Sequence, residues 1–111
     1  MKILVVDDDE MTCRYLVELL ADHDVISVTH DFRRLIGSDL YDGVDVALVD
    51  LRLGADLSGQ AVLDYLAEHH PHIRRVAMTA ARDNGPAIPV LAADTVLLKP
   101  FRMEELHAAL R

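Results

Sequence analysis

The chain has 111 residues, 51% of them hydrophobic, and carries 19 acidic against 11 basic side chains for a net charge of −8. That length supports one hydrophobic core, so a single domain over residues 1–111 is expected, and the apolar content excludes a disordered chain. So large an acidic surplus excludes nucleic acid as a direct partner, because phosphate backbones are bound by basic surfaces.

Residues 2–6 read as the first strand, an apolar run of Ile3, Leu4, Val5 and Val6 that ends in Asp7, Asp8 and Asp9. From Glu10 to Asp22, Met11, Tyr15, Leu16, Leu19 and Leu20 recur at helical spacing, with acid at the front where a helix dipole favours it. Val25 to Thr29 is a short second strand. Phe32, Leu35, Ile36 and Leu40 outline a second helix, which Asp42 and Gly43 stop. Val44 to Val49 forms the third strand, and its centre, Val46-Ala47-Leu48-Val49, runs without a polar residue into Asp50. This is the pattern of a central parallel strand buried on both faces.

Turn formers fill residues 51–59, and Ser58 is placed to cap a helix whose inner face is Val62, Leu63 and Leu66 and which Pro71 ends. Arg74 to Thr79 is the fourth strand. Gly85, Pro86 and Pro89 oppose a regular helix in the stretch that follows, so an irregular or shortened fourth helix is expected there. Thr95 to Leu98 is the fifth strand, and Met103 to Leu110 a closing helix. Alternation of this kind predicts an α/β fold: a flavodoxin-like (βα)5 domain with a doubly wound, five-stranded parallel sheet in the order 2-1-3-4-5.

The chain opens directly on a strand, so no signal peptide is expected, and no apolar run approaches the roughly 20 residues of a membrane span. Cys13 is the lone cysteine, which rules out an internal disulfide and fits a reducing, cytoplasmic setting; its apolar neighbours make it a buried, inert thiol.

Four strand ends carry the polar residues of interest: Asp7-Asp8-Asp9, Asp50, Thr79 and Lys99. In open α/β sheets ligands bind at the carboxyl ends of the strands. Carboxylates packed together there must either take up protons or share a cation, and magnesium suits a site that also takes a phosphate. Thr79 adds a hydroxyl donor and Lys99 a compact positive charge. The set suits a phosphoryl group on a carboxylate nucleophile, with the cation, hydroxyl and ammonium neutralising the transferring group.

The motifs ILVVDDDE, VALVDLRL, VAMTAA and LLKPF, at these spacings, resemble the receiver domain of two-component response regulators over essentially the whole chain. The resemblance implies that Asp50 is phosphorylated by a histidine kinase or a histidine phosphotransfer protein, and that the domain signals to a downstream protein or effector domain. It implies a Mg²⁺ ion held directly by Asp8, through water by Asp7, and by Asp50 and the backbone carbonyl of Arg52. Thr79 would donate to the phosphoryl group, Lys99 would pair with it, and the Lys99–Pro100 peptide would be cis. Ala80 is small, as in the family, leaving the donor room to approach. A homodimer stays open, and no membrane partner is implied. The domain would catalyse its own phosphorylation and slow dephosphorylation and is otherwise no enzyme.

Three departures from the family pattern stand out. Val96 occupies the place of an aromatic ring that reports phosphorylation to the surface, the loop after Asp50 has Gly54 in place of proline and is one residue longer, and the segment from Thr79 to Lys99 is short. Signal output through residues 80–94 is therefore expected in place of a ring rotation. Two other functions remain open: a pseudo-receiver that acts by protein contacts without phosphate, and a haloacid-dehalogenase-like phosphatase built on Asp7-Asp8-Asp9. The first is favoured by Val96 alone, and the second lacks both the acidic pair after Lys99 and the room for a larger core. Asp9 and Glu10 are read as the start of the first helix. His69, His70 and His72 are read as a polar helix end and not a metal site, and Arg33-Arg34 and Arg74-Arg75 as solvated pairs. Arg52 is positioned to overhang the site.

Overall fold

Every residue from Val46 to Asp50 is buried, and this strand, β3, is the middle of the sheet. The computed structural model describes residues 1–37, 39–54, 57–80 and 92–111. Around β3 lie β1 (Lys2–Val6), β2 (Asp24–Val28), β4 (Arg74–Thr79) and β5 (Thr95–Leu98), all parallel, in the order β2-β1-β3-β4-β5. The expected strand order is therefore the observed one.

Strand residues alternate between two cores. Ile3, Val5, Val46, Leu48, Val76, Met78 and Leu97 face α1 (Glu10–Leu19) and α3 (Met103–Ala109). Leu4, Val6, Ala47, Val49 and Ala77 face α2 (Gly59–His69). Each side is closed by helix positions three and four apart: Cys13, Leu16 and Leu20 on α1 and its end, and Val62, Leu63 and Leu66 on α2.

The helix starts are fixed by side chains. Asp9, at the expected start of the first helix, caps α1 by accepting from the Met11 N–H, and Ser58 caps α2 as expected by accepting from the Ala61 N–H. The α1 helix stops at Leu19, short of Asp22, and its inner face is narrower than expected: Met11 and Tyr15 are exposed.

The second expected helix is a correction. Phe32–Leu35 and Asp39–Tyr41 are two short 3-10 helices in place of one α-helix over residues 32–40. Gly37 lies between them at φ +77°, a left-handed conformation that interrupts helical winding. Side chains hold the segment instead. The Tyr41 hydroxyl donates to the Leu35 carbonyl at 2.6 Å, and the Gly37 N–H donates to the Tyr65 hydroxyl at 2.8 Å. Phe32, Leu35 and Tyr41 still enter the core that α2 covers.

Arg74 and Arg75 are a second correction. They are half-buried, not solvated: Arg74 donates to the Ala109 carbonyl at the end of α3, and Arg75 to the carbonyls of Ala92, Pro71 and Ile73. The irregular fourth helix and most of the 80–94 output segment fall on residues 81–91, which lie outside the described residues. No helix among the described residues is long and apolar enough to cross a membrane.

Candidate functional site

Val6 pairs with Val49 across β1 and β3, so the next residues, Asp7 and Asp50, come side by side at the carboxyl edge of the sheet. The pleat puts Asp7 on the face of Ile3 and Val5, Asp50 on that of Val46 and Leu48, and Lys99 on that of Leu97. All three are the α1–α3 face. The convergence follows from counting residues along three parallel strands.

Asp7 is 0% exposed and Asp50 8%. The Lys99 ammonium bridges them, 2.7 Å from Asp7 Oδ2 and 3.2 Å from Asp50 Oδ2. The other oxygen of each carboxylate is held by a backbone amide: the Asp9 N–H donates to Asp7 Oδ1 at 2.9 Å, and the Arg52 N–H to Asp50 Oδ1 at 3.1 Å. Asp8 is exposed, at the mouth. One carboxylate oxygen from each of Asp7, Asp8 and Asp50 lies within 4.8 Å of the others. This all-oxygen, anionic donor set, open on one side, fits a hard divalent cation that keeps part of its water.

Burial is the largest influence on Asp50 and raises its pKa above the usual carboxylate value; the charge of Asp7 adds to this, against the Arg52 amide and Lys99. For Lys99 burial by itself works against the charged form. The hydrogen bond and charge of Asp7, followed by Asp50, outweigh it, and the ammonium pKa is raised. The Cys13 thiol is pushed up to about 11 by burial and by Asp7, and it donates to the Asp7 carbonyl at 3.5 Å. It is the buried, unreactive thiol expected.

Thr79 ends β4 opposite Leu98, and its carbonyl accepts the Lys99 N–H at 2.8 Å. Its backbone thus seats the lysine, while its hydroxyl makes no hydrogen bond among the described residues. The Arg52 side chain is exposed, and its amide, not its guanidinium, touches the site. The Lys99–Pro100 peptide is cis.

Gly59 is a site residue that the sequence reading passes over. A Cβ there would collide with the Asp50 carbonyl oxygen and lie 2.6 Å from Leu51 Cα, so only glycine lets α2 approach the end of β3. Its N–H donates to the Leu51 carbonyl at 3.2 Å. A glycine in the first turn of a helix, where most residues serve better, is the signal that was available.

His69 and His70, at the end of α2, pack against tyrosine rings at tilted angles. His70 lies 4.9 Å from Tyr41 and His69 lies 4.5 Å from Tyr65, centroid to centroid. Among the described residues, the sole cluster of three metal-capable side chains is Asp7, Asp8 and Asp50.

The response regulator receiver domain model matches residues 3–111. The sequence matches no curated protein. Among solved structures, a response regulator receiver domain protein from Clostridium thermocellum is 25% identical, with a TM-score of 0.81 over 98% of this chain and 90% of that one. The BeF3-activated receiver domain of DrrB from Thermotoga maritima is 28% identical, with a TM-score of 0.76 over 96% and 91% of the two chains. A response regulator protein from Burkholderia pseudomallei, solved with a phosphorylated aspartic acid, calcium ion and citrate, is 28% identical, with a TM-score of 0.78 over 99% and 66%.

Proposed function

The chain belongs to the response regulator receiver family, and from that membership we propose that it is a phosphoacceptor switch whose phosphorylated residue is Asp50. Receiver domains are signalling domains of two-component systems and not metabolic enzymes, and this sets the phosphatase reading aside. The observation that carries the proposal is the Lys99 ammonium bridging the buried carboxylates of Asp7 and Asp50 beside the exposed Asp8.

In this reading an Asp50 carboxylate oxygen attacks the phosphorus of the donor, and the bond from phosphorus to the leaving group breaks. Asp8, Asp50 and the Arg52 backbone carbonyl, with Asp7 through water, would hold Mg²⁺, which would neutralise charge on the transferring group. Lys99 moves from the free carboxylate of Asp50 to the phosphoryl oxygens, and Thr79 donates its hydroxyl to them. The phosphorylated aspartate and calcium ion of the Burkholderia protein support an acidic site of this type. The donor is a phosphohistidine on a kinase or phosphotransfer protein, and the recipient a downstream protein or effector domain, with a homodimer as one form of output. The work is done in the cytoplasm.

Incubation with acetyl phosphate and Mg²⁺ tests this. Intact-mass spectrometry is expected to show one phosphoryl adduct, absent from Asp50→Asn and without Mg²⁺. An unmodified wild-type chain overturns the reading. It would favour the contact-only module, for which Val96, 40% exposed on β5, is the supporting observation.

A further inference from the structure

Three acids run in a row after β1, and Asp7 and Asp8 join Asp50 in the cluster that suits a cation, while Asp9 does not. Asp9 is exposed, and both of its carboxylate oxygens are committed to the first turn of α1. Oδ1 accepts the Met11 N–H at 3.1 Å, and Oδ2 accepts the Thr12 hydroxyl at 2.7 Å. The Asp9 carbonyl accepts the Cys13 N–H at 3.1 Å, which is the first bond of the helix. Together these bonds hold the Asp9 backbone at φ −90° and ψ 108°, the extended conformation of an N-cap. In that conformation the Asp9 N–H donates to Asp7 Oδ1 at 2.9 Å. Asp7 is 0% exposed, and its other oxygen lies 2.7 Å from the Lys99 ammonium. Without the Asp9 amide, Oδ1 would be buried with no donor and the carboxyl plane would be free to turn. The orientation of Asp7 therefore depends on the cap of the neighbouring helix.

We propose that Asp9 is a positioning residue for the cation site: by capping α1, its side chain holds its own backbone amide on Asp7 and so fixes the Asp7 carboxylate for the ion. The proposal rests on the reading of Asp7, Asp8 and Asp50 as a Mg²⁺ site. Asp9 acts through Asp7 and does not touch the ion. Its negative charge is not what this role requires, because asparagine caps a helix about as well as aspartate. Asp8 differs in this respect, since its charge faces the ion directly. The bland alternative is that Asp9 only starts a helix, in which case losing the cap lowers stability and leaves the folded site unchanged.

Calorimetric titration with MgCl₂ compares wild type, Asp9→Asn and Asp9→Ala, each corrected for its folded fraction. The two variants lose the same charge and differ in their ability to cap. Asp9→Ala is expected to bind Mg²⁺ about three- to tenfold more weakly than Asp9→Asn, the loss of a cap expressed as affinity. Hydrogen exchange at the amide of residue 9 is expected to stay slow in wild type and Asp9→Asn and to become fast in Asp9→Ala. Where Asp9→Ala does not fold, Thr12→Val keeps every charge and removes one of the two cap bonds, and its Mg²⁺ affinity is expected to fall about twofold against wild type. Equal affinities in Asp9→Asn and Asp9→Ala, a slow amide in Asp9→Ala, or an unchanged affinity in Thr12→Val overturns the proposal and leaves the Mg²⁺ site standing. A wild-type chain that binds no Mg²⁺ overturns both.

Discussion

Asp50 shows how a single side chain is set against its own surroundings. The folded chain holds a proton on Asp50 more tightly than the unfolded chain does, because burial and Asp7 disfavour the charge. Between the ordinary value of 3.8 and the raised folded value, the folded state therefore binds more protons, and this group's contribution to stability falls as pH rises. Asp50→Asn removes that penalty. The variant is expected to be more stable than wild type at neutral pH, and its advantage to vanish as pH falls below the carboxylate range; urea denaturation across pH reads both. Gly59 is set by space and not by charge. Alanine in a helix is ordinarily better than glycine by about 1 kcal/mol. Here its methyl would meet the Asp50 carbonyl, so the backbone must shift, and Gly59→Ala is expected to cost about 1–3 kcal/mol by the same assay. Slower phosphorylation is expected to accompany it, since that carbonyl belongs to the proposed acceptor residue.

Among the elements, the β2–β3 connection departs furthest from its sequence pattern. Apolar residues at helical spacing were satisfied by two short 3-10 turns, with Phe32, Leu35 and Tyr41 reaching the same core that one helix would have supplied. Periodicity reports which residues go inside, but it does not report how the backbone between them is bonded. Here tyrosine hydroxyls supply what the missing helical turns would have. Tyr41→Phe strips the buried Leu35 carbonyl of its 2.6 Å donor and is expected to cost about 1–2 kcal/mol, with β3 and the acid cluster retained. A beryllofluoride titration alongside thermal unfolding would separate the two effects. The short β5 is fixed at both ends, by Arg75 backbone bonds to Asp94 before it and by the Thr79 carbonyl on the Lys99 amide after it. That is how an edge strand of four residues delivers an ammonium to a defined point.

At the scale of the whole molecule, three of the 19 acidic side chains meet at one point, and a divalent cation that binds only the folded form would stabilise it by mass action. Mg²⁺ at a hundredfold over its dissociation constant is expected to add about 2.7 kcal/mol, seen as a rise in melting temperature. Potassium chloride of equal ionic strength should not reproduce the rise, and Asp8→Asn should remove most of it. The sequence by itself determined the strands and the chemistry at their ends, since a strand buried on both faces, such as 46–49, must be continuously apolar and any polar residue that follows it marks the sheet edge. It also placed Ser58 as a cap and Asp9 at the start of the first helix, because a cap is a local bond between near neighbours. Only the tertiary structure decided that Lys99, 92 residues from Asp7, grips both buried carboxylates, that Gly59 lies against the Asp50 carbonyl, and that Tyr15 faces a groove and not the core. These depend on strand register and on how closely one element approaches another, and those distances are fixed by packing between segments far apart in the chain, where no local pattern records them.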